Sequence, residues 1–382
     1  MAKLPEIRNL TLLEVDKALE EQQKLESKRH YLGMSEIGEE CWRKLFYNYR
    51  YTSERIITAS GIKAIKDGFA QEDIMAERLR LLPYIKLHTV DPNNPEKQIG
   101  FSLILDHFKG HCDGMILGIK EAPTTWHVWE NKAVNQAKFN KLNKLIDEKG
   151  EKNTLIEWDI IYYGQAQIYM HCSNTIRHYL TVQSPGGREY ISCRTEYNKK
   201  YAESIIEKAK TIITDNWNMP AKVSDKREFY KCNWCHHQGI CHDGEFPLVH
   251  CKTCRYCEPI KDGQRKCLKK DEILKNEELH LDNCSYHVYN PALVPAKCIE
   301  QQEDCCIYET SNNFRFANCE QSGFPELKDD IGYIGTSTEL FTNIKSIHNF
   351  SKATVQVQKT FEGEIESKPE EKAWDKKILM RG

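Results

Sequence analysis

The chain has no apolar run approaching the length of a membrane span, and its opening residues MAKLPEIRNL lack the apolar stretch and small-residue cleavage site of a secretory signal. A helical membrane protein is excluded, and a cytoplasmic location without a membrane partner is expected. Net charge is scarce too: 54 Lys and Arg against 56 Asp and Glu leave −2. That balance excludes a uniformly basic coat, so any contact with a polyanion has to come from a local patch, such as Arg43 with Lys44 or Lys138 to Lys144. No internal repeat is present, which excludes a repeat array.

What is present is enough chain, 382 residues, for one α/β domain and an appended module, with 40% hydrophobic residues to fill a core. Sixteen cysteines stand out. In a reducing compartment they do not serve as a disulfide framework, and their crowding after residue 231 in pairs and triplets points to metal.

Periodicity predicts an amphipathic helix over about 7–30, a peripheral arm with Leu10, Leu13 and Leu19 on one side, and a second helix over about 55–82. Strands are expected between Ile99 and Ile119, with a break near Lys109 and Gly110, and over His127 to Val134, all in one antiparallel meander. Helices over about 135–149 and 154–172, strands over 176–183 and 188–195, and a helix over 198–215 follow. After Pro220 comes the cysteine-dense region, and the closing GEIESKPEEKAWDKKILMRG has no periodicity and is expected to be poorly ordered.

On the strand HVWENKAV, Glu130 and Lys132 are two residues apart and share a face, while Asn131 points away. Asp113, in HCDGMILG, is expected beside Glu130 across the meander. Two carboxylates and an ammonium suit phosphodiester hydrolysis: hard oxygen ligands hold Mg²⁺ or Mn²⁺, and the lysine positions or deprotonates water, or offsets charge on the phosphate. By itself Glu-x-Lys is as well explained by a solvated face with a cross-strand ion pair. Gln165 and Tyr169, four apart on one helix face in YYGQAQIYM, add context. His111, near Asp113, is read as a structural histidine.

In this order the pieces over residues 31–245 resemble the RecB-like branch of the PD-(D/E)XK nuclease superfamily, which includes lambda-type exonucleases, RecB nuclease domains and CRISPR-associated RecB-type nucleases. The resemblance implies a restriction-endonuclease-like α/β core, a central mixed sheet flanked by helices. It implies that Asp113 and Glu130 hold the metals, that Lys132 is the signature lysine, and that Gln165 and Tyr169 form the family's Q-x-x-x-Y helix, which contacts DNA. Relatives carry a further metal-binding histidine or glutamate on the preceding helix; here that stretch has no histidine and offers Glu72, with Glu77 as second choice.

KCNWCHHQGICH supplies Cys232, Cys235 and Cys241 as C-x2-C-x5-C, three thiolates from one loop, so a fourth ligand must come from elsewhere. Cys41, in SEIGEECWRKLFYNYR, matches the upstream S-x5-C-x-R segment of the RecB-like relatives, and the resemblance implies a structural [4Fe-4S] cluster on these four cysteines. A zinc site completed by His236, His237 or His242 stays open. Further on, Cys251, Cys254, Cys257, Cys267, Cys284 and His287 exceed the four ligands of a tetrahedral zinc; the expected set is Cys251, Cys254, Cys267 and Cys284, with His287 as substitute. Cys298, Cys305, Cys306 and Cys319 have no interpretable spacing. This stretch resembles an accessory module found after the nuclease domain in some bacteriophage proteins.

The sequence thus reads as a helical arm (1–30), a nuclease domain closed by an iron-sulfur staple (31–245), a cysteine-rich zinc module (246–325) and a partly disordered tail (326–382). The expected function is metal-dependent DNA cleavage, as an exonuclease resecting DNA ends for recombination or repair. Its partners would be DNA and a single-strand annealing protein, in a bacterial host's cytoplasm if the chain is phage-encoded. Two alternatives stand beside it: a catalytically inactive DNA-binding scaffold, and a CRISPR- or repair-associated endonuclease.

Overall fold

Thr58 accepts a hydrogen bond from Gly61 N, which caps the first long helix of the sheet-bearing part of the chain. A computed structural model describes residues 8–152, 154–280, 284–321 and 331–350. They group into two units: residues up to Glu39 with Arg55–Ile104 and Phe108–Ala209, and Glu40–Glu54 with Leu105–His107 and the chain from Lys210 onward.

The first unit contains α1 (Leu10–Leu25), α2 (Ala59–Arg80), β1 (Lys86–His88), β2 (Gly114–Leu117), β3 (His127–Ala133), α3 (Gln136–Lys149), α4 (Ile160–Ser173), β4 (Arg177–Gln183) and β5 (Tyr190–Glu196). Five strands pair in the order β5-β4-β3-β2-β1. β3 and β4 are parallel, and the remaining pairs are antiparallel. The parallel pair needs a crossover, which α3 and α4 supply. Met75 and Ala76 of α2 bury against Ile116, Trp129 and Tyr179 on one face of the sheet. α4 lies on the other face, where Gln165 reaches Glu130. With both faces covered, β3 is buried along most of its length.

Three expectations are corrected in this unit. Gly100–Leu103 and Phe108–His111 do not belong to the main meander; they form a separate three-stranded sheet with Leu32–Gly33, and the break falls at 104–107. There Ile104, Leu105 and Asp106 all take positive φ, which ends the strand and leaves Lys109 and Gly110 paired within the next one. The helix expected over 154–172 is broken at Asp159, whose extended backbone (φ −156°) lets its carboxylate cap α4 through Ile161 N and Tyr162 N. The arm begins at Leu10 and is tied down, Lys63 pairing with Asp16 at 2.8 Å and Ala59 N donating to Glu20 at 2.8 Å.

The second unit holds a helix over Trp42–Arg50, a three-stranded sheet of β6 (Cys257–Pro259), β7 (Arg265–Cys267) and β8 (Glu272–Leu274), and a four-stranded sheet of β9 (Lys297–Gln301), β10 (Cys305–Glu309), β11 (Arg315–Cys319) and β12 (Tyr333–Thr336). Phe246, Tyr289, Tyr308, Phe316 and Phe350 fill its core. Packing divides the chain around 40–54, at 104–108 and after Ala209. Phe46 and Tyr47 bury against Ile240, Ala292 and Leu293, which places Glu40–Glu54 with the cysteine-rich region. Residues 331–350, expected in the tail, contribute β12 and the buried Phe350 because β12 pairs in parallel with β11. The closing segment GEIESKPEEKAWDKKILMRG lies outside the described residues.

Candidate active site

Antiparallel pairing sets Gly114 opposite Trp129, so Asp113 arrives beside Glu130. Each residue then grips the other's strand: Asn131 N donates to Asp113 Oδ2 at 2.7 Å, and Asp113 N donates to Glu130 Oε1 at 3.4 Å. Lys132 Nζ stands 2.6 Å from Glu130 Oε2 and 3.8 Å from Asp113 Oδ2. The three residues picked out by spacing are brought together, with Glu130 1% exposed.

From α4, Gln165 Nε2 donates to Glu130 Oε2 at 3.0 Å and lies 3.4 Å from the Tyr169 hydroxyl. Both residues are buried, Tyr169 to 1% exposure. Gln165 holds the Glu130 carboxylate, with the buried Tyr169 hydroxyl accepting from the same amide.

Burial pushes Glu130 up to about 8, with the neighbouring Asp113 carboxylate adding and Lys132 opposing. Glu72 of α2 is pushed up to about 7 by burial, then by Asp113, again against Lys132. Glu72 therefore shares the field of the site, whereas Glu77 is exposed. Lys132 is held above the ordinary lysine range: burial lowers it, but Glu130 and Asp113 outweigh that. Once ionised, these three carboxylates outnumber the one ammonium, and their hard oxygens suit Mg²⁺ or Mn²⁺. Among the described residues, no three His, Cys, Asp or Glu side chains are gathered tightly enough to hold an ion as they stand. Asp113, Glu130 and Glu72 fit a cation by charge and donor type.

This predicts a pH-dependent response. A carboxyl raised in the folded state stabilises fully below its unfolded value and loses that contribution as pH rises through its folded value, here about 7 for Glu72 and about 8 for Glu130. Millimolar Mg²⁺ should therefore raise the melting temperature more at about pH 8.5 than at about pH 6, where protons compete. Equal shifts at both values would remove these carboxylates from the cation's path.

Sequence reasoning missed the reverse face of β3. Asn131 Oδ1 accepts from Thr181 Oγ1 at 2.9 Å and from Gln183 Nε2 at 3.2 Å, while Trp129 Nε1 donates to Thr181 at 3.0 Å. Gln183 also donates to the carbonyl of Gln71 at 2.7 Å, tying α2 to the strand behind the site. The alternation of β3 places Asn131 on this face, but no motif marks Thr181 or Gln183. The Lys138–Lys144 patch is partly consumed internally: Lys138 pairs with Asp159 at 2.6 Å and lies 4.4 Å from the Tyr162 ring, and Lys144 lies 3.7 Å from Glu148. Arg43 donates to the Pro220 carbonyl at 2.9 Å.

In the second unit, burial raises the thiols of Cys232, Cys235 and Cys241, and Cys41 adds to the rise in all three. These four sulfurs share one neighbourhood. His237 is buried on Asn48 (2.8 Å) and Ser53 (3.1 Å), which leaves it committed to the fold. In the next cluster burial pushes Cys251 up to about 12, with Cys257, Cys284 and Cys267 adding in that order. Cys257, left out of the expected zinc set, faces Cys267 across β6 and β7 and is buried. Cys254 is buried alongside. His287 turns its Nε2 toward the His250 carbonyl at 3.1 Å and Thr253 Oγ1 at 3.2 Å, and its buried Nδ1 has no hydrogen-bond partner.

The chain is a mixed α/β protein, and no described helix is long and apolar enough to cross a membrane. No family model matches it, and no curated protein matches it. Among solved structures, it is similar to SSO0001 at 15% identity and a TM-score of 0.34, over 61% of this chain and 96% of that one. It is also similar to an alkaline exonuclease from Laribacter hongkongensis (LHK-Exo) at 12% identity and a TM-score of 0.34, over 51% and 90% of the two chains. The same exonuclease in complex with dAMP aligns at 14% identity and a TM-score of 0.33, over 48% and 86%.

Proposed function

We propose that this protein is a metal-dependent DNA nuclease of the PD-(D/E)XK type, an exonuclease resecting DNA ends for recombination or repair. The observation that carries the proposal is the clasp of Asp113, Glu130 and Lys132 across β2 and β3. Asp113 and Glu130, with Glu72, would hold Mg²⁺ or Mn²⁺, which when bound supplies Lewis-acid polarisation of the phosphate and a more acidic water. Lys132 keeps an ammonium within reach of both carboxylates and offsets negative charge that builds during phosphodiester cleavage. Gln165 fixes one Glu130 oxygen, and the backbone N–H of Asp113 meets the other, so the carboxylate is oriented before a ligand enters.

The accessory cofactors belong to the same proposal. Cys41, Cys232, Cys235 and Cys241 would supply an all-sulfur donor set for a [4Fe-4S] cluster, and Cys251, Cys254, Cys257, Cys267 and Cys284 would supply thiolates for zinc. DNA is the proposed substrate, with a single-strand annealing protein as the partner that takes the product.

The test is digestion of linear against covalently closed circular DNA by anaerobically purified protein with Mg²⁺ or Mn²⁺, beside Lys132→Ala. Loss of the linear form alone, slowed about 100-fold or more in the variant, is expected. Cutting of closed circles would favour an endonuclease, and no cutting of either form a DNA-binding scaffold. Visible absorbance of the same preparation distinguishes iron-sulfur from zinc: a colourless protein removes the cluster.

A further inference from the structure

Tyr162 lies in the first turn of α4, three residues before Gln165 and seven before Tyr169, so the three share one helix face. Two of them already have a place at the site: Gln165 donates to Glu130, and Tyr169 accepts from Gln165. Tyr162 meets the third member of the clasp, with Lys132 Nζ 5.6 Å from the centre of its ring. An ammonium within about 6 Å of a ring centre is attracted by the negative π-face.

The ring is itself held by side chains outside the carboxylate cluster. Lys138, in the first turn of α3, brings its Nζ to 4.4 Å from the same ring centre, and its charge is met by Asp159 Oδ2 at 2.6 Å. The other oxygen of Asp159 accepts from Tyr162 N at 3.1 Å, so one carboxylate fixes both the backbone of Tyr162 and the lysine on its ring. Trp158 packs against Tyr162 with ring centres 5.6 Å apart, and its indole N–H donates to the Lys138 carbonyl at 2.9 Å. Tyr162 is half-buried among these partners, a fixed wall beside a flexible lysine.

Lys132 gains something from that wall which its other partners do not supply. Its ammonium stands 2.6 Å from Glu130 and 3.8 Å from Asp113, the same oxygens that would hold Mg²⁺ or Mn²⁺. Once those oxygens are committed to a cation, the ammonium loses part of their attraction and is repelled besides. The face of a neutral ring is a hold for which no cation on the carboxylates competes.

We propose that Tyr162 is the positioning residue for Lys132, keeping its ammonium at the site while the carboxylates hold the cation; the catalytic consequence rests on the nuclease reading. The full chain, with its metals as purified, should be compared as wild type, Tyr162→Phe and Tyr162→Leu. In digestion of linear DNA with Mg²⁺, Tyr162→Leu should lower kcat about 5- to 20-fold with KM within about twofold, whereas Tyr162→Phe, which keeps the ring, should stay within about twofold of the wild type in both. A phenylalanine variant as slow as the leucine variant would assign the effect to the hydroxyl and overturn the inference.

The second readout does not need cleavage: brief acetylation by acetic anhydride, with each lysine peptide quantified by mass spectrometry. With Mg²⁺ present, Lys132 should label about fivefold faster in Tyr162→Leu than in Tyr162→Phe. Equal labelling in the two variants overturns the inference, whatever cleavage does. The expected labelling in a protein that cuts no DNA would keep the hold and remove the nuclease reading. The wild type serves even if a variant misfolds: adding Mg²⁺ should change its Lys132 labelling less than about twofold, and a rise of about tenfold would show that the carboxylates alone had held the ammonium.

Discussion

Replacing Glu130 with glutamine is expected to slow DNA cleavage about 100-fold or more while raising the melting temperature at about pH 8.5. The two effects have one origin. Glu130 is buried beside Asp113, and its carboxyl is pushed from 4.5 up to about 8, so the ionised form is disfavoured by the fold. Above that value the wild type carries the full penalty, which a neutral amide of the same shape does not. Gln165 can keep a hydrogen bond to the substituted side chain, so the local packing survives. What is lost is one anionic oxygen ligand and the group that holds Lys132 at 2.6 Å. Activity assays beside thermal melts at about pH 5 and 8.5 test both halves. Wild-type cutting by the variant would remove Glu130 from the chemistry. A lower melting temperature at the higher pH would mean that the Lys132 pair outweighs the crowding.

Gly164→Ala should be a damaging single-methyl change near the site, lowering stability by about 1–3 kcal/mol and cleavage by about 10- to 100-fold. A Cβ at Gly164 would sit 2.7 Å from Gly38 Cα and 2.8 Å from Gly38 N, both backbone atoms that cannot rotate away. A Cβ at Gly38 would meet the Ile160 carbonyl oxygen and Ile161 Cα in the same way. The two glycines let α4 approach the chain at Gly38, where Lys208 Nζ also donates to the Ile37 carbonyl at 2.8 Å. Gln165 follows Gly164 directly, so moving α4 outward loosens the contact that orients Glu130. Cleavage falling no further than the loss of folded protein explains would show that α4 only fills space. A drop in turnover per folded molecule would show that it positions the carboxylate.

Much of the candidate site was legible because it depends on short-range geometry. Two-residue spacing in HVWENKA fixes Glu130 and Lys132 on one face in any strand, and Asp113 needed only an antiparallel neighbour. The four-residue spacing of Gln165 and Tyr169 likewise survives in any helix. The meander failed because apolar alternation does not say which sheet a strand joins: Gly100–Leu103 and Phe108–His111 alternate well enough but pair with Leu32–Gly33. Asp159 was hidden for the opposite reason, since a capping aspartate and an interior one look alike until the backbone turns extended beneath it.

The sequence by itself determined the identities and spacings within single elements, an acid and a base two apart on one strand and cysteines concentrated after residue 231, because these depend only on local backbone period and composition. Tertiary structure decided the rest: that Glu72 feels Asp113, that Thr181 and Gln183 brace Asn131, that Cys257 faces Cys267, and that Arg255 reaches Cys306. Except for Cys257 and Cys267, those partners are tens of residues apart in the chain, and even that pair depends on strand register. Only packing and pairing, which no local spacing encodes, bring them within hydrogen-bonding or electrostatic range.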